Sequence, residues 1–553
     1  ECDIALYDER IQTKWAKLPS VHFVIIDGHD DVRPVVESAG SVASQLYSGW
    51  GLSVISGKAP AVPEFETASN LEWITTDRQF EELETVVRDS STDWIVFLYA
   101  GDQLDSRYLV SMLDLAAVSG DLDVIYSDVD LINRLGEHHG VQFKPDIDLD
   151  QLRSTDYIGN GCLLKTSAVK QYLNAVSMSD HGFIYGILLC IIEERGETAF
   201  MHESKVLFHR FDQNTDLFNS PLTVRARKRY LEEHLQRSGL KASVVDGYLN
   251  GVFRVEYEHD TTPLVSIVIP TKDALHVLKP CLQTLVEKTT YSNYEVIIVD
   301  NNSTDAETLE FLEQQQRFDD RIKVLKYPKP YNYSAINNAA VAEAKGEYIV
   351  LLNNDTAVLM GDWLERMLSI GQREDVGIVG ARLLHPDTTV QHAGVVLGMS
   401  GIADHPFIGL DSTYSGYLGQ VHCIRGVSAV TAACLLVRKD IYQDVGGLDA
   451  DKFAVLFNDV DLCLKVSEKN YRIVYTPYAL LMHHGSFSLK KKAGDKKSMK
   501  RSRKETLSML DRWTPQLAKD PAFNRNLCLK DKSVVPEMLV DPDWDTHRHD
   551  RLR

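Results

Sequence analysis

No two cysteines in this sequence are spaced as CxxC, and the eight present (Cys2, Cys162, Cys190, Cys281, Cys423, Cys434, Cys463, Cys528) follow no regular interval. A zinc ribbon and a disulfide framework are therefore not indicated, and a reducing compartment is the expectation. Long apolar runs are also missing. The longest, Gly186–Ile192 and Ala429–Val437, fall far short of the ~20 residues needed to cross a bilayer. Positive charge is in deficit, with 59 Lys and Arg against 79 Asp and Glu and a net charge of −20. That balance argues against a nucleic-acid backbone as the main partner. No signal-peptide pattern is visible, and a chain that starts at Glu1 rather than Met is expected to have been trimmed at its N-terminus. What remains is ordinary globular composition, 44% apolar and 25% charged over 553 residues, enough for two to four domains with sizeable cores.

From Leu264 the chain alternates strand and helix patterns. LVSIVIP, YEVIIVD, RIKVLKY and GEYIVLL read as buried strands, and Ala274–Lys288, Asp305–Gln316 and Ser334–Ala344 as the helices between them. This alternation predicts a parallel, doubly wound sheet, whose chemistry sits just beyond the strand ends. Those places hold Pro270-Thr271-Lys272-Asp273, Asp300–Asp305 and Asn353-Asn354-Asp355. About 240 residues earlier a weaker copy of the plan appears, with strands at His22–Asp27, Trp50–Ser56 and Asp93–Tyr99 and a helix at Val36–Tyr47, suggesting an internal duplication. Arg225–Leu240 reads as a charged helix closing this first unit, before a polar linker at Glu258–Pro263.

Asp355 follows a buried strand, where a carboxylate can hold a hard divalent ion that also ligates a diphosphate, although Asn-Asn-Asp is equally a common turn. Asn458-Asp459-Val460-Asp461 opens a helical pattern, so its acids are either caps or a general base and its helper. His483-His484 ends a strand-like run, and strand alternation lets only one of the two join Asp355. His392 and His405 lie in loop-rich sequence without an identifiable partner. Lys490–Lys504 carries nine basic residues out of fifteen and a single acid. Such a run is either a solvated helix or a patch for anionic lipid head groups or a diphosphate.

Taken in order, VSIVIPTKD, YEVIIVDNNSTD, GEYIVLLNND, VGGLD, FNDVDLC and MHHGS resemble the family 2 glycosyltransferases of the GT-A fold, over about Pro263 to Ser488. YNYSAINN, VQHAGVVLG and SAVTAACLLVRK are similar to a bacterial subgroup associated with O-antigen and polysaccharide synthesis, rhamnosyltransferases included. SDVDLI, FKPDIDLDQL and DYIGNGCLL, within Ser127–Leu164, resemble the extra GT-A-like unit that often precedes it. The resemblance implies an α/β chain of two tandem GT-A domains, Rossmann-like and mostly parallel. It divides into a degenerate N-terminal domain (1–256), a catalytic domain (257–488) and a basic helical extension (489–553).

The resemblance also distributes roles. Pro270, Thr271, Asp273, Asp300, Asn302 and Asn354 would cradle the nucleotide. Asn353-Asn354-Asp355 stands where the family has its metal-binding DxD, so Asp355, Asn353 and His484, or His483 in its place, would hold Mn²⁺ or Mg²⁺. Asp459 would be the catalytic base, supported by Asn458 and His392. Asn353 and Asn458 each replace an acid of the family pattern, which reads as tuning of the site. In the first unit Tyr99-Ala100-Gly101-Asp102 lacks the leading acid of DxD, and Asp180–Glu193 lacks an acidic pair. That unit is expected to be a noncatalytic relative that packs against the second or binds acceptor glycan. The implied reaction is inverting transfer from a UDP-, dTDP- or GDP-sugar to a glycan, lipid-linked or protein acceptor. It would take place in the cytoplasm, with peripheral membrane contact through Lys490–Lys504. The alternatives are a glycan-binding scaffold and a two-site polymerase.

Overall fold

A computed structural model of the chain describes residues 15, 17–60, 63, 65, 68–485 and 496–536. It divides into two compact units, Glu1–Val255 and Glu256–Arg553. In the first, β1 (Val21–Asp27), β2 (Trp50–Ser56), β3 (Leu71–Thr75) and β4 (Trp94–Tyr99) run parallel. With β5 (Gln103–Leu104), β6 (Val124–Ile132), β7 (His138–Gln142), β8 (Leu163–Lys165) and β9 (Phe200–Phe211) they form a nine-stranded sheet. Its order is β3-β2-β1-β4-β8-β6-β9-β5, with β7 paired to β6. A ribbon of β10 (Ala242–Asp246) and β11 (Phe253–Tyr257) follows.

The second unit begins with β12 (Val265–Thr271), β13 (Tyr294–Asp300), β14 (Ile322–Lys326) and β15 (Tyr348–Leu352), again parallel. β16 (Thr356–Val358), β17 (Val376–Leu384) and β18 (Val390–His392) come next, then the small ribbon of β19 (Val396–Leu397) and β20 (Ala403–Asp404). β21 (Arg425–Gly426), β22 (Cys434–Arg438) and β23 (Arg472–His483) complete a ten-stranded sheet in the order β14-β13-β12-β15-β22-β17-β23-β16, with β18 on β17 and β21 on β23. Strand for strand, this is the order of the first sheet. The pairings match as well: β4–β8 and β15–β22 are both antiparallel, β6–β9 and β17–β23 both parallel, β5–β9 and β16–β23 both antiparallel. The expected α/β class holds, and each sheet is parallel in its first half and mixed in its second.

The parallel strands are covered on both faces, which is why they read as unbroken apolar runs. Every residue of β13 is buried, and Glu295 within it is offset by the Ser266 hydroxyl, the Lys345 N–H and the Lys323 ammonium, at 2.7, 2.7 and 3.0 Å. The helix Leu275–Lys288 lays Leu278, Cys281, Leu282 and Leu285 on the sheet, the spacing of one helical face. Each such leucine contributes about 1.5–3 kcal/mol by leaving water. Asp305 caps the helix Ala306–Phe318 through the Thr308 N–H at 2.9 Å, so the predicted start at Asp305 is its N-cap. All described cysteines but Cys528 are buried, and none is paired among the described residues. No helix among those residues is long and apolar enough to cross a membrane.

The helix Lys496–Ala518 also belongs to the second unit. It buries Glu505, Met509, Trp513 and Leu517, one residue per turn. Lys496, Lys497, Lys500, Arg503 and Lys504 stay exposed, so this part of the basic run is a solvated face. Residues 490–495 of that run lie outside the described residues.

Candidate active site

The C-terminal ends of β12, β13 and β15 bring the predicted residues to one edge of the second sheet. Thr271 and Asp300 are register partners at the ends of their strands, and Pro270 is half-buried one residue earlier. The Asn354 amide donates to the Thr271 hydroxyl at 3.0 Å, tying the turn after β15 to β12. Asp300 accepts the Ser303 N–H at 2.9 Å, while Asp273 accepts the N–H groups of Thr304 and Asp305. These bonds, the Asp305 one foremost, hold the Asp273 carboxyl below its ordinary value. Asp273 and Asn302 both have left-handed backbones, at φ 43° and 62°. This conformation is costly for residues other than glycine and is tolerated best by Asn and Asp. The two loops are thus locked together around Asp273.

Asp355 is buried, with a carboxylate oxygen 3.0 Å from His483 Nε2. Burial alone would raise this carboxyl, yet the hydrogen bond from His483 and the charges of His483 and His484 bring it below the usual aspartate value. Gln391 fixes the imidazole: its carbonyl oxygen faces Nδ1 and its amide donates to the His483 backbone oxygen at 3.0 Å. Nδ1 therefore carries a proton, and Nε2 faces the Asp355 carboxylate, with the Asn353 amide nitrogen 3.3 Å away. A carboxylate and an imidazole nitrogen this close share either a proton or a cation. The Asp355 carboxylate and the His483 imidazole suit a divalent ion such as Mn²⁺, and Asn353, whose amide nitrogen faces the imidazole and whose oxygen faces the Tyr333 hydroxyl, would join them as an oxygen donor only by turning its amide. The side-chain contact falls on His483, correcting the placement of His484. β23 pairs with β16 through Thr356↔His483, so His483 points inward, and His484 is exposed and reaches Asp355 only by its backbone N–H.

Asp459 is half-buried in the first turn of the helix Asn458–Ser467, entered through Phe457 at φ 59°. Its Oδ2 accepts the Ala432 N–H at 3.1 Å and its Oδ1 the Val460 N–H at 2.9 Å. Asn458 is buried and spends its amide on the Val455 oxygen, shaping the loop before the helix. Asp461 is fully buried and bound by Arg512 at 2.7 Å, Trp513 Nε1 at 2.9 Å and Lys465 at 3.3 Å. The two acids therefore separate, with Asp461 anchoring the C-terminal helix and Asp459 left at the surface of the site. Glu505 on that helix accepts the N–H groups of Val455 and Leu456, at 3.2 and 3.0 Å. The loop leading to Asp459 is thereby held from behind.

Tyr333 was not singled out from the sequence. Its buried hydroxyl lies 3.1 Å from Asn353 Oδ1 and 3.1 Å from the Ala432 oxygen, the same residue whose N–H binds Asp459. It couples the Asp355 side of the site to the Asp459 side, and burial together with the Asp459 charge pushes its pKa well up. His392 is buried with Nδ1 2.9 Å from His405 Nδ1. Burial drives both imidazoles toward the neutral form, although His405 also feels the Asp459 charge, which opposes the shift. His392 thus reaches the base side of the site through His405.

In the first unit, the position after β4 corresponding to Asp355 is Asp102, and it is saturated. Fully buried, it accepts from the Tyr99 N–H, the Phe211 N–H, and the Asn160 and Asn214 amides. That carboxylate is a structural bracket with no capacity left for an ion.

Residues 266–446 match the family model described as glycosyl transferase family 2. Over 547 residues the chain is 35% identical to the uncharacterized protein y4gI of Sinorhizobium fredii, covering 95% of this chain and 59% of that protein. Over 467 residues it is 32% identical to the O-antigen biosynthesis protein RfbC of Myxococcus xanthus, covering 82% of this chain and 36% of that one. The chain thus spans less than two thirds of the length of these curated relatives. Among solved structures, a mannosyltransferase of Pyrobaculum calidifontis in complex with GDP-Man and Mn²⁺ aligns at 15% identity and a TM-score of 0.34, over 46% of this chain and 65% of the other.

Proposed function

We propose that the second unit, whose residues 266–446 match the family model described as glycosyl transferase family 2, transfers a sugar, with inversion, from a nucleotide-sugar donor. The observation that carries the reading is the link between two chemically distinct groups. The Asp355–His483 pair is joined to the Asp459-bound peptide through Asn353 and Tyr333. One end suits a cation and a diphosphate, the other an acceptor hydroxyl.

Asp355, His483 and Asn353 would hold a divalent ion, Mn²⁺ or Mg²⁺, which when bound supplies Lewis-acid neutralisation of the diphosphate leaving group. The locked loops at Asp273, Asp300 and Asn302, with Thr271 and Asn354, shape the nucleotide end. Asp459, fixed by the Ala432 N–H, accepts the proton of the acceptor hydroxyl as that oxygen attacks the anomeric carbon from the face opposite the diphosphate. Asn458 and His405, with His392 behind it, position that end of the site. UDP-, dTDP- and GDP-sugars all fit the reading. The name of the Myxococcus xanthus relative, O-antigen biosynthesis protein, supports a role in bacterial surface polysaccharide synthesis, and the reading takes a glycan, lipid-linked or protein acceptor with rhamnose as one candidate sugar. A cytoplasmic enzyme touching the inner membrane face through Lys490–Lys504 completes the proposal. The saturated Asp102 favours a first unit that binds acceptor glycan over a second transferase centre.

The test is turnover of a panel of UDP-, dTDP- and GDP-sugars with Mn²⁺, with Mg²⁺ and with chelator. Metal-dependent hydrolysis or transfer of one donor, lost in Asp355→Ala, is expected. Asp459→Asn should keep nucleotide binding while transfer falls about 10²–10⁴-fold. Near-normal turnover in Asp459→Asn removes the base assignment, and a chain that binds no donor at all is a glycan-binding scaffold instead.

A further inference from the structure

Three side chains of the first unit converge at the far edge of its sheet. Asp130 on β6 and His209 on β9 are direct partners in the parallel ladder. His138 opens β7 opposite Ile132, two residues along β6 on the same face as Asp130. His209 Nδ1 lies 2.6 Å from one carboxylate oxygen of Asp130 and His138 Nδ1 lies 3.0 Å from the other, with the two rings edge-on at 4.5 Å. The three ligand atoms all fall within 4.8 Å of one another.

We propose that Asp130, His138 and His209 bind a divalent transition-metal ion of the zinc type. A tetrahedral ion about 2.0–2.2 Å from each ligand sets the ligand atoms roughly 3.4 Å apart. The two imidazole–carboxylate separations, 2.6 and 3.0 Å, fall a little short of that value and all three atoms lie within 4.8 Å, so small outward side-chain adjustments admit the ion. Two imidazoles and one carboxylate form a borderline donor set that selects zinc-like ions over Mg²⁺ and Ca²⁺, which favour all-oxygen cages. The side chains of Asp130 and His209 are 8% and 15% exposed, while that of His138 is 47% exposed. Two ligands are thus preset in the sheet and the third faces solvent, giving a path of entry and an open fourth position. The strand register adds a second observation. β5 starts with Gln103↔His209 as β16 starts with Thr356↔His483, so His209 occupies the place of His483 in the duplicated plan. Asp102 cannot serve it, being saturated, and Asp130 takes the part of the facing acid. The register comparison leans on the role proposed for His483, whereas the cluster's own distances do not.

The probe is Zn²⁺ in competition with a chromophoric chelator, and Co²⁺ for its tetrahedral absorption bands, on the full chain carrying Asp355→Ala to silence the second unit. One equivalent of tightly held zinc and an intense cobalt spectrum are expected, unaffected by excess Mg²⁺. His138→Ala, at a half-exposed position that leaves the fold intact by circular dichroism, should weaken zinc binding about 100-fold, and His209→Ala at least as much. Absence of zinc binding, or zinc binding that survives both substitutions, overturns the proposal. Failure of the donor assay would leave it standing, because the readout is metal and not turnover.

Discussion

Asp461 is the member of the predicted acidic pair that never reaches the site, and its removal tests the division of labour between the two acids. Its carboxylate is fully buried against Arg512, Trp513 Nε1 and Lys465. Stripping one side of such a pair costs about 3–5 kcal/mol, because the partner charge stays buried without compensation. Arg512 keeps Asp449 at 2.7 Å and its side chain is a quarter exposed, so the lower end applies, about 3 kcal/mol for Asp461→Ala. Hydrogen exchange read by mass spectrometry reports the local opening energy of the segments 458–467 and 505–517, which should fall together by that amount. Arg512→Met alone should cost about 2 kcal/mol, and the double variant should fall short of the sum by about 2 kcal/mol. Additivity within about 0.5 kcal/mol would mean that the two residues do not communicate, and that the C-terminal helix does not brace the Asp459 helix.

Tyr333→Phe removes the one O–H that Asn353 Oδ1 and the Ala432 oxygen share, for a loss of about 1–3 kcal/mol in urea unfolding. If Tyr333 positions both halves of the site, kcat should drop with donor binding largely kept, and an unchanged kcat would make it a packing residue only. His392 and His405 are held neutral by burial, His392 further by the charges of His405, Arg425 and His483. An unfolded histidine titrates near 6.5, so the stability these residues allow is complete above about pH 6.5 and is lost as pH falls toward their lower folded values, by up to about 1.4 kcal/mol per pH unit for each. The melting temperature of the second unit should therefore drop from pH 7.5 to 5.5, and His392→Gln should flatten that slope. An identical slope in the variant would refute the assignment.

The parallel halves of both sheets were legible because strands buried on both faces leave unbroken apolar runs, as in YEVIIVD, with cap residues such as Asp305 beside them. The mixed halves were not. β17 is fully buried yet contains Gly380 and Arg382, whose guanidinium donates to the Ser412 oxygen, so periodicity alone does not mark it. Ala429–Val437 read as one apolar run, but only its end enters β22. Among site residues, Asp355 and Asp459 were identifiable by motif. The choice between His483 and His484 needed the register with β16. Tyr333 needed a contact to Ala432, and the His392–His405 pair needed the end of β18 to meet the residue after β20, neither of which leaves a local trace in sequence.

The bracing of the loop before Asp459 by Glu505 bears on where this chain can be cut. The family match ends at 446, and the motifs run out near Ser488. A fragment trimmed at either point keeps Asp355 and the loops at Asp273, Asp300 and Asn302. The shorter one loses Asp459 and His483 outright. The longer one keeps both but loses the two hydrogen bonds from Val455 and Leu456 to Glu505 and the ion pair from Arg512 to Asp461. Such a fragment should still load a nucleotide while its base end wanders, hydrolysing or idling where the longer chain transfers. The smallest fragment expected to hold both ends of the site together therefore extends at least to Ala518, some seventy residues beyond the end of the family match.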